Sequence, residues 1–121
     1  LAARCVNHRE IYFAAFKEEL GEGAVALGAC NGSVLEGRTA TAQTPSRTAE
    51  SFMDDSVDLL RGFEFAMAFE NTNQSGYVTE KIVSAYLAGA IPIYWGTPSV
   101  AEIFRPETFV YAPAFASPAA L

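Results

Sequence analysis

The chemistry this chain could perform concentrates between Glu70 and Lys81, where Asn71, Tyr77, Thr79, Glu80 and Lys81 fall within a dozen positions. Lys81 is the most telling of them. Its surroundings predict a helix beginning just before it, and a cation in a first helical turn opposes a dipole carrying roughly +0.5 charge at that end. A bound phosphate resolves the conflict by meeting the free N–H groups, the dipole and the ammonium together. A salt bridge from Lys81 to Glu80 or Glu70 is the simpler alternative. From Gly62 to the end the only cations are Lys81 and Arg105, so Lys81 does not belong to a general basic surface.

Asn71 could hydrogen-bond a sugar, a ribose or a base, or merely close a turn. Tyr77 could cover a nucleotide with its ring and reach a phosphate with its hydroxyl, or pack as a surface aromatic. Arg9, beside the start of another expected helix, is a second cation placed where an anion would suit it. His8, the single histidine, reads as a capping or surface residue rather than a base. Asp54-Asp55 reads as solvated charge rather than a metal-binding pair. Glycine-rich phosphate loops of the GxGxxG and GxxxxGK[ST] types are absent, as are HExxH and GxSxG. No complete catalytic constellation is present, and no divalent metal or other cofactor is indicated.

These residues need a frame. The 121 residues, half of them apolar, suffice for one domain of two or three layers. A formal charge of -6 argues against nucleic acid as a partner, because such binding draws on Lys and Arg neutralising phosphates. Cys5 and Cys30 are too few for a disulfide framework and lack zinc-site spacing. No stretch reaches the roughly 18 apolar residues of a membrane span. The start, without an initiator Met or an apolar leader, reads as that of a fragment, with any membrane attachment in segments outside it.

Along the chain, Tyr12, Phe16 and Leu20 recur every fourth position with Ile11 and Ala15 alongside, predicting an amphipathic helix over His8–Leu20 that stops at Gly21. Ala24–Ala29 has strand length. Gly32–Asp55, rich in Ser, Thr and Ala, reads as a long loop or insertion, with a short helix over Ser56–Gly62 after it. Phe63, Phe65, Met67 and Phe69 alternate with Glu64, Ala66 and Ala68, the period of a strand. Val78–Ala88 predicts a helix whose stripe is Val78, Ile82, Ala85 and Gly89. Ile91–Trp95 then reads as a strand with Pro92 near its start, Val100–Phe104 as a short helix and Phe109–Tyr111 as a strand. Strands alternating with helices imply an α/β fold with a mainly parallel sheet and helices on both faces. Ligands bind such sheets beyond the carboxyl ends of the strands, which is where Glu70–Lys81 falls.

Phe69-Glu70-Asn71-Thr72, then Gly76-Tyr77-Val78-Thr79-Glu80-Lys81-Ile82, then Ala90-Ile91-Pro92-Ile93-Tyr94-Trp95-Gly96 closely resemble the donor-binding motif of the α-1,3/4-fucosyltransferases, glycosyltransferase family 10. Order and spacing agree from about Phe63 to Tyr111, including Pro98-Ser99-Val100 and Phe104-Arg105-Pro106. The likeness is nearest to bacterial members. It implies one Rossmann-like half, the carboxyl-terminal one, of a two-domain GT-B-type inverting enzyme that transfers L-fucose from GDP-fucose to a glycan hydroxyl. The residues matching Lys81 and Arg9 contact donor phosphate, the one matching Glu80 touches fucose or ribose hydroxyls, and those matching Asn71 and Tyr77 line the nucleotide site.

The resemblance places the catalytic base in an amino-terminal acceptor domain that this chain does not contain, so the fragment alone is expected to be inactive. Compartment differs among relatives, with the Golgi lumen implied for eukaryotic members and the cytoplasm or inner membrane surface for bacterial ones. Two rivals stand beside this reading: a glycosyltransferase using another nucleotide sugar, and a truncated paralogue that binds a nucleotide or a partner without turnover.

Overall fold

The structure is a computed structural model that describes residues 6–26 and 56–121. The described residues fall into two compact units, one holding residues 6–26 with 117–121 and the other residues 56–116.

In the first unit, helix α1 spans Asn7–Leu20 and is followed by a 3-10 turn over Gly21–Gly23. Arg9 and Tyr12 are buried, and the Tyr12 ring lies 6.2 Å from that of Phe16, so the inward stripe runs through positions 9, 12 and 16. Ile11 and Leu20, expected on that stripe, are exposed. The stripe moves towards Arg9 because a buried arginine lends its aliphatic stem to an apolar face. Lys17 sits near the negative end of the helix dipole and donates to the Ala24 carbonyl at 3.2 Å. Ala24, Val25 and Ala26 form no strand. The remainder of that expected strand, the expected loop over 32–55 and Cys5 and Cys30 lie outside the described residues.

The second unit is built on three parallel strands, β1 (Phe65–Phe69), β2 (Ile91–Trp95) and β3 (Val110–Tyr111), in the order β1-β2-β3. Helix α2 covers residues 56–60, α3 covers Lys81–Leu87 between β1 and β2, and α4 covers Val100–Ile103 between β2 and β3. β2 and β3 are thus each reached from the preceding strand by a crossover, as a parallel sheet requires. Register pairs each residue of β1 with the residue 26 positions on, from Phe65 with Ile91 to Phe69 with Trp95.

The face of β1 that receives α3 carries its alanines. Ala66 and Ala68 are buried, whereas Phe65 is exposed on the opposite face. Small side chains let the helix approach closely, and Ala85 packs with Ala66 and Ala90 while Ile82 joins Ala68, Tyr94, Val100 and Phe109 in the main core. Pro92 is tolerated in the central strand by the alternation of the ladder. The Ile91 N–H points towards β1, donating to Glu64 at 2.8 Å, so position 92 points towards β3, whose pairing begins only at Ile93.

The end of α3 explains the sharp entry into β2. Gly89, at φ +79°, donates to the Tyr86 carbonyl at 3.0 Å, and Ala90 donates to the Ala85 carbonyl at 3.0 Å. This is the paired-bond helix stop that a residue with positive φ makes possible, as the glycine predicts. No helix among the described residues is long and apolar enough to cross a membrane.

Candidate functional site

Period two carries one charged residue onto the alanine face. After Ala66 and Ala68, position 70 points the same way, and the Glu70 N–H extends the ladder by donating to the Trp95 carbonyl at 2.9 Å. The Glu70 side chain is therefore directed under the start of α3, and the residue is completely buried. Such a carboxylate must have its oxygens satisfied. One oxygen, Oε1, accepts from the Thr79 backbone N–H at 2.7 Å. The other, Oε2, accepts from the Thr79 hydroxyl at 2.7 Å and from Lys81 Nζ at 3.3 Å. Lys81 Nζ also donates to Thr79 Oγ1 at 3.0 Å, closing a three-membered network.

The same bonds correct one expectation and choose between two partners offered for Lys81. Helix α3 begins at Lys81, three residues later than the pattern over Val78–Ala88 indicates. Thr79 gives its N–H to Glu70 rather than to a helical turn, and Val78, held by a bond from its N–H to the Gly76 carbonyl at 3.2 Å, packs onto the core from extended chain. The partner of Lys81 within the structure is Glu70, the simpler of the two readings of that lysine. An ammonium carries three donors, and Glu70 and Thr79 engage two. The third remains available, and 26% of the Lys81 side chain is exposed.

Continuing the register one step places Gly96 opposite Glu70, and this glycine is demanded by packing. A Cβ there would lie 2.6 Å from the Tyr94 hydroxyl, 2.9 Å from its Cζ and 3.0 Å from the Glu70 Cγ. Tyr94, also completely buried, stacks on Tyr111 at 6.5 Å and meets Phe109 edge-on at 6.2 Å. Its hydroxyl has no hydrogen-bond partner. Burial, then the charge of Glu70, then the neighbouring Tyr111 push the Tyr94 hydroxyl far above the usual tyrosine range. Burial also raises Tyr111, whose hydroxyl donates to the Gly96 carbonyl at 3.0 Å. Both phenols stay neutral.

The loops beyond β1 and β2 meet at this edge. Thr97, buried, donates its hydroxyl to Ser99 Oγ at 3.1 Å, and Ser99 Oγ accepts from the Gly76 N–H at 3.4 Å. Asn71 is exposed directly after Glu70, Tyr77 is half-buried behind a turn closed by its N–H to the Gln74 carbonyl at 2.9 Å, and Glu80, half-buried, caps α3 with its carbonyl accepting from Ser84 at 2.9 Å. Asn71, Tyr77, Glu80 and Lys81 thus share one loop and helix start at the carboxyl edge of the sheet. Arg9 belongs to the other unit, buried on α1.

Sequence reasoning noticed Glu70 only as a possible partner of Lys81 and assigned no role to Thr79, Tyr94 or Gly96. The available signal was a lone carboxylate continuing the inward phase of an apolar strand. Among the described residues, no three His, Cys, Asp or Glu side chains gather closely enough to hold a metal ion.

Comparison with known proteins locates this arrangement. The model of the carboxyl-terminal region of glycosyltransferase family 10 (fucosyltransferase) matches residues 7–121. The α-(1,3)-fucosyltransferase FucT of Helicobacter pylori is 55% identical over 53 residues, which is 44% of this chain and 11% of the relative. GDP-fucose protein O-fucosyltransferase 3 of Xenopus laevis is 43% identical over 54 residues, covering 43% of this chain and 12% of the relative. A crystal structure of an α1,3-fucosyltransferase with GDP-fucose superposes with a TM-score of 0.68 at 31% identity, covering 92% of this chain and 28% of that one. The chain therefore spans less than a third of each of these relatives.

Proposed function

The chain belongs to glycosyltransferase family 10, the fucosyltransferases, and from that membership we propose that it forms the donor-binding half of an enzyme transferring L-fucose from GDP-fucose to a glycan hydroxyl with inversion. The observation that carries the proposal is Lys81. Its ammonium is held at the carboxyl edge of a parallel sheet by Glu70 and Thr79, with a third donor unspent and part of the side chain in solvent. Parallel α/β sheets bind ligands at that edge.

In the proposed complex, Lys81 holds the charge that develops on the departing GDP, a task needing a preorganised cation and no divalent metal, and the family resemblance alone assigns Arg9 a phosphate contact. Glu80 receives fucose or ribose hydroxyls, and Asn71 and Tyr77 line the nucleotide. No proton acceptor for the acceptor hydroxyl is assigned to this chain. Glu70, the carboxylate nearest Lys81, is completely buried with both oxygens engaged, so it is no candidate. The base belongs to an acceptor half supplied from outside residues 1–121.

Competition between nucleotides tests the donor. GDP should displace a bound fluorescent GDP analogue at concentrations at least about tenfold lower than UDP does, the difference a few base-specific hydrogen bonds provide. Equal displacement by UDP would favour a different nucleotide-sugar transferase, and displacement by neither a non-catalytic paralogue.

A further inference from the structure

A buried glutamate at the end of an apolar strand calls for a reason other than stability. Taking a carboxylate and an ammonium out of water costs about as much as their attraction returns, and apolar replacements of such pairs are often neutral or better. The inward phase of β1 already uses alanine twice, and a third small or apolar residue would continue it. What Glu70 supplies instead is geometry. It fixes the Thr79 backbone through Oε1, the Thr79 hydroxyl through Oε2 and the Lys81 ammonium through the same oxygen.

The Thr79 hydroxyl is the hinge of this arrangement. It donates to Glu70 and accepts from Lys81, so it spends its single proton on the carboxylate and turns a lone pair to the ammonium. A free lysine has four rotatable bonds to fix when it grips a phosphate, a penalty equivalent to a factor of about ten to thirty in affinity. Here two bonds to Nζ impose that order in the folded protein, before any ligand arrives.

We propose that Glu70 and Thr79 are positioning residues for donor binding, holding the Lys81 ammonium so that its one uncommitted N–H is directed at the diphosphate. The inference rests on the donor-site reading of Lys81. It assigns neither residue a contact with the ligand.

A double-mutant cycle on the full chain, read by calorimetric titration with GDP, separates this role from a structural one. Thr79→Val removes the hydroxyl and keeps both the shape and the backbone N–H to Glu70, and should weaken GDP about tenfold; Thr79→Ser should stay within about twofold of wild type. In a Lys81→Ala background, Thr79→Val should change the affinity by less than about twofold, because the group it positions is gone. An equal loss in both backgrounds would show that the hydroxyl serves the fold alone, and no loss in the wild-type background would show that Lys81 needs no positioning. If Lys81→Ala leaves GDP affinity unchanged, the donor-site reading fails and the positioning role falls with it, an outcome distinct from either Thr79 result.

Discussion

At the scale of single residues, the site is defined by which polar atoms are satisfied. Glu70 is buried with every oxygen engaged, while the equally buried Tyr94 hydroxyl beside it has no partner. An unsatisfied buried hydroxyl is a net cost, so Tyr94→Phe should raise the unfolding free energy at pH 7 by about 1 kcal/mol. The pH dependence has a definite sign. The folded-state pKa of Tyr94 lies above its unfolded value of about 10, so the stability linked to the protonated phenol is complete below that value. It is lost as pH rises beyond it, because the unfolded chain ionises there and the folded one does not. Wild-type protein should therefore lose stability between about pH 10 and 11.5, and Tyr94→Phe should lose less over the same interval in denaturant titrations. Parallel slopes for the two proteins would mean that Tyr94 ionises as freely folded as unfolded. Lys81 stands at the first position of α3, where local electrostatics singled it out. Its partner is one of the two carboxylates that the sequence offered, Glu70 rather than Glu80. Glu70 lies eleven positions before it, and only the fold brings the two to 3.3 Å.

At the scale of elements, punctuation and period were legible. The strand over Ile91–Trp95 appears where its apolar run stands, and α3 stops where Gly89 offers positive φ. The start of α3 was not legible, since a side chain from a preceding strand captures the Thr79 N–H that a helical pattern assigns to the next turn. Of the strand expected over Ala24–Ala29 from its apolar run, the three described residues show no strand pairing. The glycine that ends α3 and the glycine opposite Glu70 part company under substitution. Gly89→Ala meets open space at unfavourable φ and should cost about 1 kcal/mol of stability with nucleotide affinity unchanged. Gly96→Ala drives a Cβ into the Tyr94 hydroxyl and the Glu70 stem, and should cost about 2 kcal/mol while also weakening GDP, because Glu70 must shift and carries Lys81 with it. Thermal melts paired with GDP titration check both, and an unaltered affinity in Gly96→Ala would uncouple the packing from the site.

At the scale of the whole molecule, membership of glycosyltransferase family 10 rests on a family match over residues 7–121 and on a solved relative that superposes over 92% of the chain. The motif from Phe69 to Gly96 made that family recognisable, because it spaces a strand end, a helix start and a second strand end along one edge of the sheet. The acceptor left no comparable trace, and the relatives include both an α-(1,3)-fucosyltransferase and a protein O-fucosyltransferase. The proposal confines this chain to the donor, so residues 1–121 supplied with GDP-fucose and an acceptor should release no GDP above the uncatalysed rate. Turnover by the chain alone would place the base within it.

The central claim is that Lys81 holds the donor diphosphate, and calorimetric titration of GDP into wild type and Lys81→Ala addresses it most directly. A charge-assisted contact contributes about 1.5 to 3 kcal/mol, so the variant should bind roughly one to two orders of magnitude more weakly with its fold intact by circular dichroism. Equal affinity for GDP in the two proteins would contradict the account.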